Sequence, residues 1–308
     1  MENEKHQPLV SIVIATYNGE KYLAKQLDSI RQQTYSNLEI IIQDDLSTDN
    51  TIAIAIASQI ADQRIRIRIN QHNTGFVKNF EEGLKAAQGS YIALCDQDDI
   101  WENNKIERLL DQIGNADLIH SNCSLIDEQD HTIKPFWKNK ERQTSTLAEL
   151  LFFNNVTGCT ALLRRESLLR ALPFPEGIAY HDWWLALCAA KGNGVRFLDE
   201  ALVKYRQHAN QDTGANQTAK LRTKIGTGQK QLRKKIALKQ LQNLLAINRN
   251  AFSMTEQEIF NQAICFHRSL SQGIVHPQAA FIYCQQYKYI KPNINSFSFI
   301  DFMKFLYW

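Results

Sequence analysis

Along the first two hundred residues, short apolar runs alternate with longer segments of helical pattern. Val10–Ala15 is a β-rich run, and a helical stretch follows from Glu20 to about Gln33. Leu38–Ile42 is apolar apart from Glu39, close to the pattern of a strand buried on both faces. Thr48–Asn50 then offers polar caps for a helix running through Ile60. Ile65-Arg66-Ile67-Arg68-Ile69 alternates strictly, which predicts a strand with one exposed face near a sheet edge. A helix over Phe76–Ala87 leads to a strand at Tyr91–Cys95. This β-α-β order predicts an α/β fold with a mostly parallel sheet flanked by helices on both faces. Ligands of such sheets bind at the carboxyl ends of the strands. Three polar or acidic clusters fall at those ends: Thr16–Gly19, Asp44–Asp45 and Asp96–Asp99.

After Trp101 the pattern loosens into shorter strands and helices up to about Tyr205. Gln207–Gly228 is polar and rich in Gly, Asn and Thr, as linkers are, and the remainder to Trp308 reads as mainly helical. Two regions follow: residues 8–215 as the α/β domain and residues 216–308 as a helical C-terminal region.

Composition narrows the function classes. The chain has 308 residues, 44% hydrophobic and 22% charged, which is globular and not disordered. A formal net charge of +3 does not suggest a nucleic-acid partner. No run approaches the roughly 18 apolar residues of a spanning helix, and Met-Glu-Asn-Glu-Lys has no apolar signal core. Six scattered cysteines without a C-x-x-C pair read as small buried hydrophobes in a reducing compartment. The expected location is the cytoplasm.

The strongest chemical signal is Cys95-Asp96-Gln97-Asp98-Asp99-Ile100-Trp101, directly after a strand. Carboxylates one residue apart at a strand end can converge on a hard divalent cation. A solvated acidic turn, with Asp99 capping a helix over Trp101–Leu110, explains an isolated D-x-D equally well. Asp182 likewise reads by itself as the N-cap of a helix over Trp183–Lys191, His208 as a structural histidine, and Lys78 as a solvated first-turn lysine.

Taken together, Val10–Gly19, Ile42–Asp49 and the Asp96 cluster resemble, in order and spacing, the family 2 glycosyltransferases. The resemblance implies the GT-A fold, a Rossmann-like nucleotide-binding half joined to an acceptor-binding half. It implies a nucleotide-sugar site made by Thr16, Tyr17, Asn18, Asp45, Asp96 and Gln97, with Asp45 accepting the pyrimidine N3–H. Asn73–Asn79 is similar to the family's glycine loop, in which Lys78 would reach the diphosphate. Asp98 would ligate Mn2+ or Mg2+ with Asp96, and His208 would complete the metal site. The family often carries Gly where this chain has Leu46. Asn155–Thr160, Tyr180–Leu187 and Leu202–Asn210 resemble the rhamnosyltransferase-type branch of bacterial polysaccharide synthesis, with similarity fading after Ala215. That branch implies an inverting transfer with Asp182 as catalytic base, His181 as its neighbour, and dTDP-rhamnose or a UDP-hexose as donor. An oligosaccharide or lipid-linked glycan, from O-antigen or cell wall, would be the acceptor. Trp101, Trp183 and Trp184 would offer apolar faces to its sugar rings.

The tail raises a further expectation. Eight Lys and Arg with no Asp or Glu lie between Lys220 and Lys239, and six aromatics between Phe297 and Trp308. The basic block reads either as a solvated helix or as a contact with an anionic inner leaflet. The aromatic segment suits packing on the domain, a homo-oligomer interface or lipid headgroups. Other classes are poorly served. Sugar nucleotidyltransferases need G-x-G-T-R after the first strand, where this chain has Ala15-Thr16-Tyr17-Asn18-Gly19. A non-catalytic glycan-binding module would be expected to lose Asp98 or Asp182, and neither a Walker loop nor G-x-G-x-x-G occurs.

Overall fold

In the computed structural model, residues 7–137, 144–208, 235, 238–245 and 252–272 are described. The basic block (apart from residues 235, 238 and 239), the polar segment beyond residue 208, Cys284 and the aromatic segment at 297–308 lie outside them. Two compact units are present. The first comprises Met1–Ser145, Val156–Pro173 and Tyr180–Asp212.

The first unit is built on strands β1 (Val10–Thr16), β2 (Leu38–Asp44), β3 (Ile65–Ile69) and β4 (Tyr91–Asp96). Helices α1 (Leu23–Arg31), α2 (Thr51–Ala61) and α3 (Phe76–Ala86) connect them. Then come β5 (Ile100–Trp101), α4 (Lys105–Ile113), β6 (Leu118–Ile126), β7 (Thr132–Lys134) and β8 (Thr144–Ser145). Among the described residues the ten strands form one sheet in the order β3-β2-β1-β4-β9-β6-β10-β5, where β9 is Ala161–Arg164 and β10 is Val195–Arg206. The β3-β2-β1-β4 half is wholly parallel, and β9 runs antiparallel to both β4 and β6. The parallel half is what the alternation of apolar run and helical segment predicts.

Local detail follows burial. Every residue of β2 is buried, as its mostly apolar run predicts, and the buried Glu39 accepts from the Gln88 and Gly89 N–H groups. β3 lies at the sheet edge with Ile65 buried and Arg66, Arg68 and Ile69 exposed. The predicted cap before α2 is present in place but not in kind. Asn50 occupies the N-cap without a side-chain bond, and Asp49 Oδ1 instead accepts from the Thr51 N–H at 3.0 Å.

One helix starts later than its sequence suggests. Trp101 is not helical; β5 pairs with β10 through Val203, the indole is buried, and α4 begins at Lys105. Asp99 therefore caps no helix. Its buried carboxylate accepts the Arg206 N–H at 3.0 Å.

The second unit comprises Thr146–Asn155, Phe174–Ala179 and Thr213–Trp308. Its helix α5 (Leu147–Phe152) opens with a capping box between Thr146 and Glu149. The longer helix α8 (Met254–Gln272) packs on α5: Phe266 meets Phe152 edge-on at 5.3 Å, and His267 Nε2 lies 3.2 Å from the Leu151 carbonyl. No helix among the described residues is long and apolar enough to cross a membrane.

Candidate active site

The parallel register brings the three polar strand ends to one edge, where Thr16 aligns with Asp44 and Ala15 with Asp96. Past those ends the chain is tied by side chains, because loops leaving parallel strands have no ladder to satisfy their backbone groups. Thr16 Oγ1 donates to Asp44 Oδ2 at 2.7 Å, and the same carboxylate accepts from the Ser47 N–H and hydroxyl. Gln97 pairs with the Tyr17 backbone both ways: its Oε1 accepts from the N–H at 2.9 Å, and its Nε2 donates to the carbonyl at 3.1 Å. That pairing explains Gly19, where a Cβ would come within 2.2 Å of Gln97 Oε1. Asn18 adopts a left-handed φ of 47° and accepts from the Thr48 N–H at 2.9 Å. Tyr17 remains 47% exposed, with its ring toward solvent at this edge. Leu46 has a φ of 65°, a region that costs a branched-chain residue about 1–2 kcal/mol and that glycine visits freely. The turn is thus of glycine type although its residue is leucine.

Asp45 is buried and holds the loop before α3. Its Oδ1 accepts from Asn70 Nδ2, the Thr74 N–H and Thr74 Oγ1, and its Oδ2 accepts from the Gly75 N–H at 2.8 Å. Burial alone would raise its pKa, but these donors outweigh burial and hold it below the ordinary value. Oδ2 keeps capacity for one more donor. Lys78 is engaged within α3 itself: its ammonium lies 2.7 Å from Glu81 and 3.6 Å from Glu82.

The acidic turn after β4 is the electrostatic centre. Asp98 Oδ2 lies 2.7 Å from His208 Nε2, across 110 residues of sequence. Burial and the carboxylates of Asp98 and Asp182 raise Asp96 to about 7. Asp96 therefore stands within electrostatic reach of Asp98 and Asp182, with the buried Lys105 and a bond from Cys159 acting in the opposite sense. Oxygen donors with one imidazole suit Mn2+. For Asp98 and His208 to hold an ion together, their direct contact must give way to it. A second group, Asp96, Asp99 and Cys159, has one ligand atom from each within 4.8 Å of the others. Burial pushes the Cys159 thiol well above its ordinary value, and a protonated thiol is a poor ligand for a hard cation.

Asp182 sits in the first turn of α7 (His181–Lys191), one residue inside it, and Tyr180 is the N-cap. The cap reading of Asp182 is therefore corrected: it stands inside the helix, where its Oδ1 accepts from the adjacent Trp183 N–H at 2.6 Å. Gly158 makes room for it, since a Cβ there would stand 3.5 Å from Asp182 Cβ and 3.2 Å from His181 Nε2. The three tryptophans expected to face an acceptor are corrected as well. Trp101, Trp183 and Trp184 are 2%, 3% and 7% exposed, and Trp184 Nε1 donates to the Ala171 carbonyl. Large aromatic surfaces at these positions fill the core.

His181 is the first residue of α7. Its ring stacks on Phe80 at 4.0 Å, neither ring nitrogen has a hydrogen-bond partner, and burial pushes its pKa down to about 3. An unfolded histidine titrates near 6.5, so its folded value is depressed. This stability is present above about pH 6.5 and is lost as pH falls toward 3, by up to about 1.4 kcal/mol per pH unit. His181→Phe keeps the stack and removes the titration. The fall in melting temperature between about pH 7 and pH 5 should be smaller in the variant; an equal fall would remove His181 as its source.

Two site residues escaped sequence reasoning. Arg206 is fully buried; its Nε donates to the Asp98 carbonyl at 2.7 Å, and its guanidinium bonds the Asp127 carbonyl and lies over the Tyr22 ring at 4.5 Å. It holds the acidic turn by its backbone and stands two residues from His208. Lys105 is also fully buried, its ammonium 3.1 Å above the Trp101 ring and 2.6 Å from the Cys159 carbonyl, and burial lowers its pKa to about 7. Its place in the first turn of α4, where a cation opposes the helix dipole, shows only once the helix is seen to start at Lys105.

With this geometry in hand, comparison with known proteins is decisive. Residues 11–171 match the model of glycosyl transferase family 2. The chain belongs to that family. The dTDP-rhamnosyl transferase RfbG of Shigella flexneri is 31% identical over 227 residues, covering 68% of this chain and 77% of the relative. WfgD of Escherichia coli, a UDP-Glc:alpha-D-GlcNAc-diphosphoundecaprenol beta-1,3-glucosyltransferase, is 30% identical over 202 residues, or 64% of this chain and 77% of that one. Among solved structures, the mannosyltransferase PcManGT of Pyrobaculum calidifontis, in complex with GDP-Man and Mn2+, superposes with a TM-score of 0.60 at 15% identity. That superposition covers 98% of this chain and 80% of the other, and at such identity it speaks for the GT-A fold alone. The family 2 glycosyltransferase expected from the motifs is thereby established as an enzyme class and a fold.

Proposed function

We propose that this family 2 enzyme transfers L-rhamnose from dTDP-rhamnose, with inversion, to a growing bacterial surface polysaccharide on a lipid carrier. The observation that carries the reading is the convergence of Asp96, Asp98, His208 and Asp182 beside the Thr16–Gly19 loop. The loop and Asp45 Oδ2 receive the base and ribose, and Asp45 accepts the pyrimidine N3–H. Asp98, His208 and Asp96 hold Mn2+ or Mg2+, which when bound neutralises the donor diphosphate. Asp182 takes the proton of the acceptor hydroxyl as that oxygen bonds the anomeric carbon and the bond to the diphosphate breaks on the opposite face. Lys78 reaches the diphosphate only after leaving Glu81 and Glu82.

The donor follows from the likeness to a dTDP-rhamnosyl transferase, and a lipid-linked acceptor from the likeness to the diphosphoundecaprenol-directed enzyme of Escherichia coli. Such an acceptor would bring the enzyme to the cytoplasmic face of a membrane. The same Escherichia coli relative, which uses UDP-Glc, favours a UDP-hexose as the second reading. A melting-temperature panel with Mn2+ separates them, because a ligand bound by the folded state raises the transition. dTDP-rhamnose should stabilise the protein more than UDP-glucose or UDP-galactose at equal concentration. A preference for a UDP-hexose would replace the rhamnose assignment and leave the transfer chemistry intact.

A further inference from the structure

Strand β10 ends at Arg206, and the Gln207 N–H still donates to the Ile126 carbonyl of β6 at 2.9 Å. His208 stands one residue past that bond, so packing on its ring decides where the imidazole points. Arg206 and His208 are two residues apart at a strand end, a spacing that puts side chains on one side. Both meet the same ring. Tyr22 lies 5.1 Å from the His208 imidazole, centroid to centroid and tilted by 40°, and 4.5 Å from the Arg206 guanidinium carbon. These are the distances of an aromatic pair and of a cation over a ring face.

Tyr22 is fixed from the other direction by its backbone. It is the N-cap residue of α1, and its N–H donates to the Gly19 carbonyl at 3.1 Å, at the end of the Thr16–Gly19 loop. The side chain is buried, and its hydroxyl approaches Glu128 Oε2 no closer than 3.5 Å. The ring, and not the hydroxyl, therefore makes the close contacts. Asp98 closes the arrangement: its Oδ2 contacts His208 Nε2, and its carbonyl accepts from Arg206 Nε. One aromatic side chain thus packs on both groups that hold Asp98, one through its carboxylate and one through its backbone. Burial against two polar partners separates Tyr22 from an aromatic that only fills the core.

We propose that Tyr22 is a positioning residue of the metal site, seating the His208 imidazole so that Nε2 stays directed at Asp98 and at the ion the two would share. The inference rests on the reading of Asp98 and His208 as metal ligands and adds to it a residue outside the coordinating set. Loss of a contact that orients a metal-binding histidine lowers metal affinity by about 10–100-fold. Calorimetric titration of Mn2+ into the full chain, with saturating dTDP or UDP, tests this. Tyr22→Phe keeps the ring and should bind Mn2+ as the wild type does. Tyr22→Leu removes the ring, and Tyr22→Met fills the same space with a flexible chain. Both should bind Mn2+ about tenfold more weakly. Nucleotide binding without metal should be unchanged, because the bond to Gly19 is made by the backbone. In a His208→Ala background the same substitutions should weaken Mn2+ binding no further, since Tyr22 acts through His208. A merely structural tyrosine would lower the melting temperature and leave Mn2+ affinity alone in either background. Wild-type Mn2+ affinity in the folded Leu and Met variants, or an equal loss with and without His208, would overturn the inference and leave the metal reading in place. So would a Tyr22→Phe variant as weak as Tyr22→Leu. Wild-type affinity in His208→Ala itself would overturn the histidine as a ligand, and this inference with it.

Discussion

Asp182→Asn should lower kcat by about 10²–10⁴-fold while donor affinity and melting temperature stay near those of the wild type, because an amide cannot take the acceptor proton. The position of Asp182 sharpens the test. It lies inside the first turn of α7, with Tyr180 as N-cap, so Asn keeps an oxygen for the Trp183 N–H and only Ala removes that bond. Asp182→Ala should cost that bond and the interaction of a carboxylate with the helix N-terminus, together about 0.5–2 kcal/mol. A large loss of turnover with so small a loss of stability is the signature of a base. Near-normal turnover by the Asn variant would end the assignment.

Asp98→Ala should abolish Mn2+-dependent stabilisation by the donor and reduce turnover by about 10²-fold or more, the equivalent of the several kcal/mol that a cation supplies to a departing diphosphate. The fold should survive, because Arg206 holds residue 98 through its backbone carbonyl and Asp99 through a backbone N–H bond. His208→Ala removes the partner 2.7 Å from Asp98 and should give a weaker form of the same defect, with about 10–100-fold lower metal affinity that excess Mn2+ recovers. Calorimetric titration of Mn2+ into the donor complex separates metal binding from turnover. Wild-type Mn2+ affinity in Asp98→Ala would return the acidic turn to a purely structural role.

The division of information between sequence and tertiary structure is visible residue by residue. Period and order alone determined the parallel half of the sheet, its edge strand and the strand ends at which polar residues collect. Strands buried on both faces and helices with one buried face leave these patterns in the chain itself. The motifs likewise carried the family, since Asp45 and the Asp96–Asp99 turn follow directly on those strand ends and Asp182 stands in a motif of its own. What each side chain faces was decided only by packing. Trp101, Trp183 and Trp184 have the composition of a sugar platform, but the core claimed all three, because an aromatic serves either purpose equally well in one dimension. Lys78 and Lys105 both stand in the first turns of their helices. One is held by Glu81 and Glu82 at the surface, the other lies wholly buried on Trp101, a difference set by which face of each helix the sheet covers. Leu46 shows the backbone overriding the residue: the turn after β2 needs a left-handed φ to return toward Asn18, and it keeps that conformation without glycine. Arg206 was visible in the sequence two residues before His208. Its buried bonds to the acidic turn exist only because β5, which directly follows that turn, pairs with β10 about a hundred residues later in the chain.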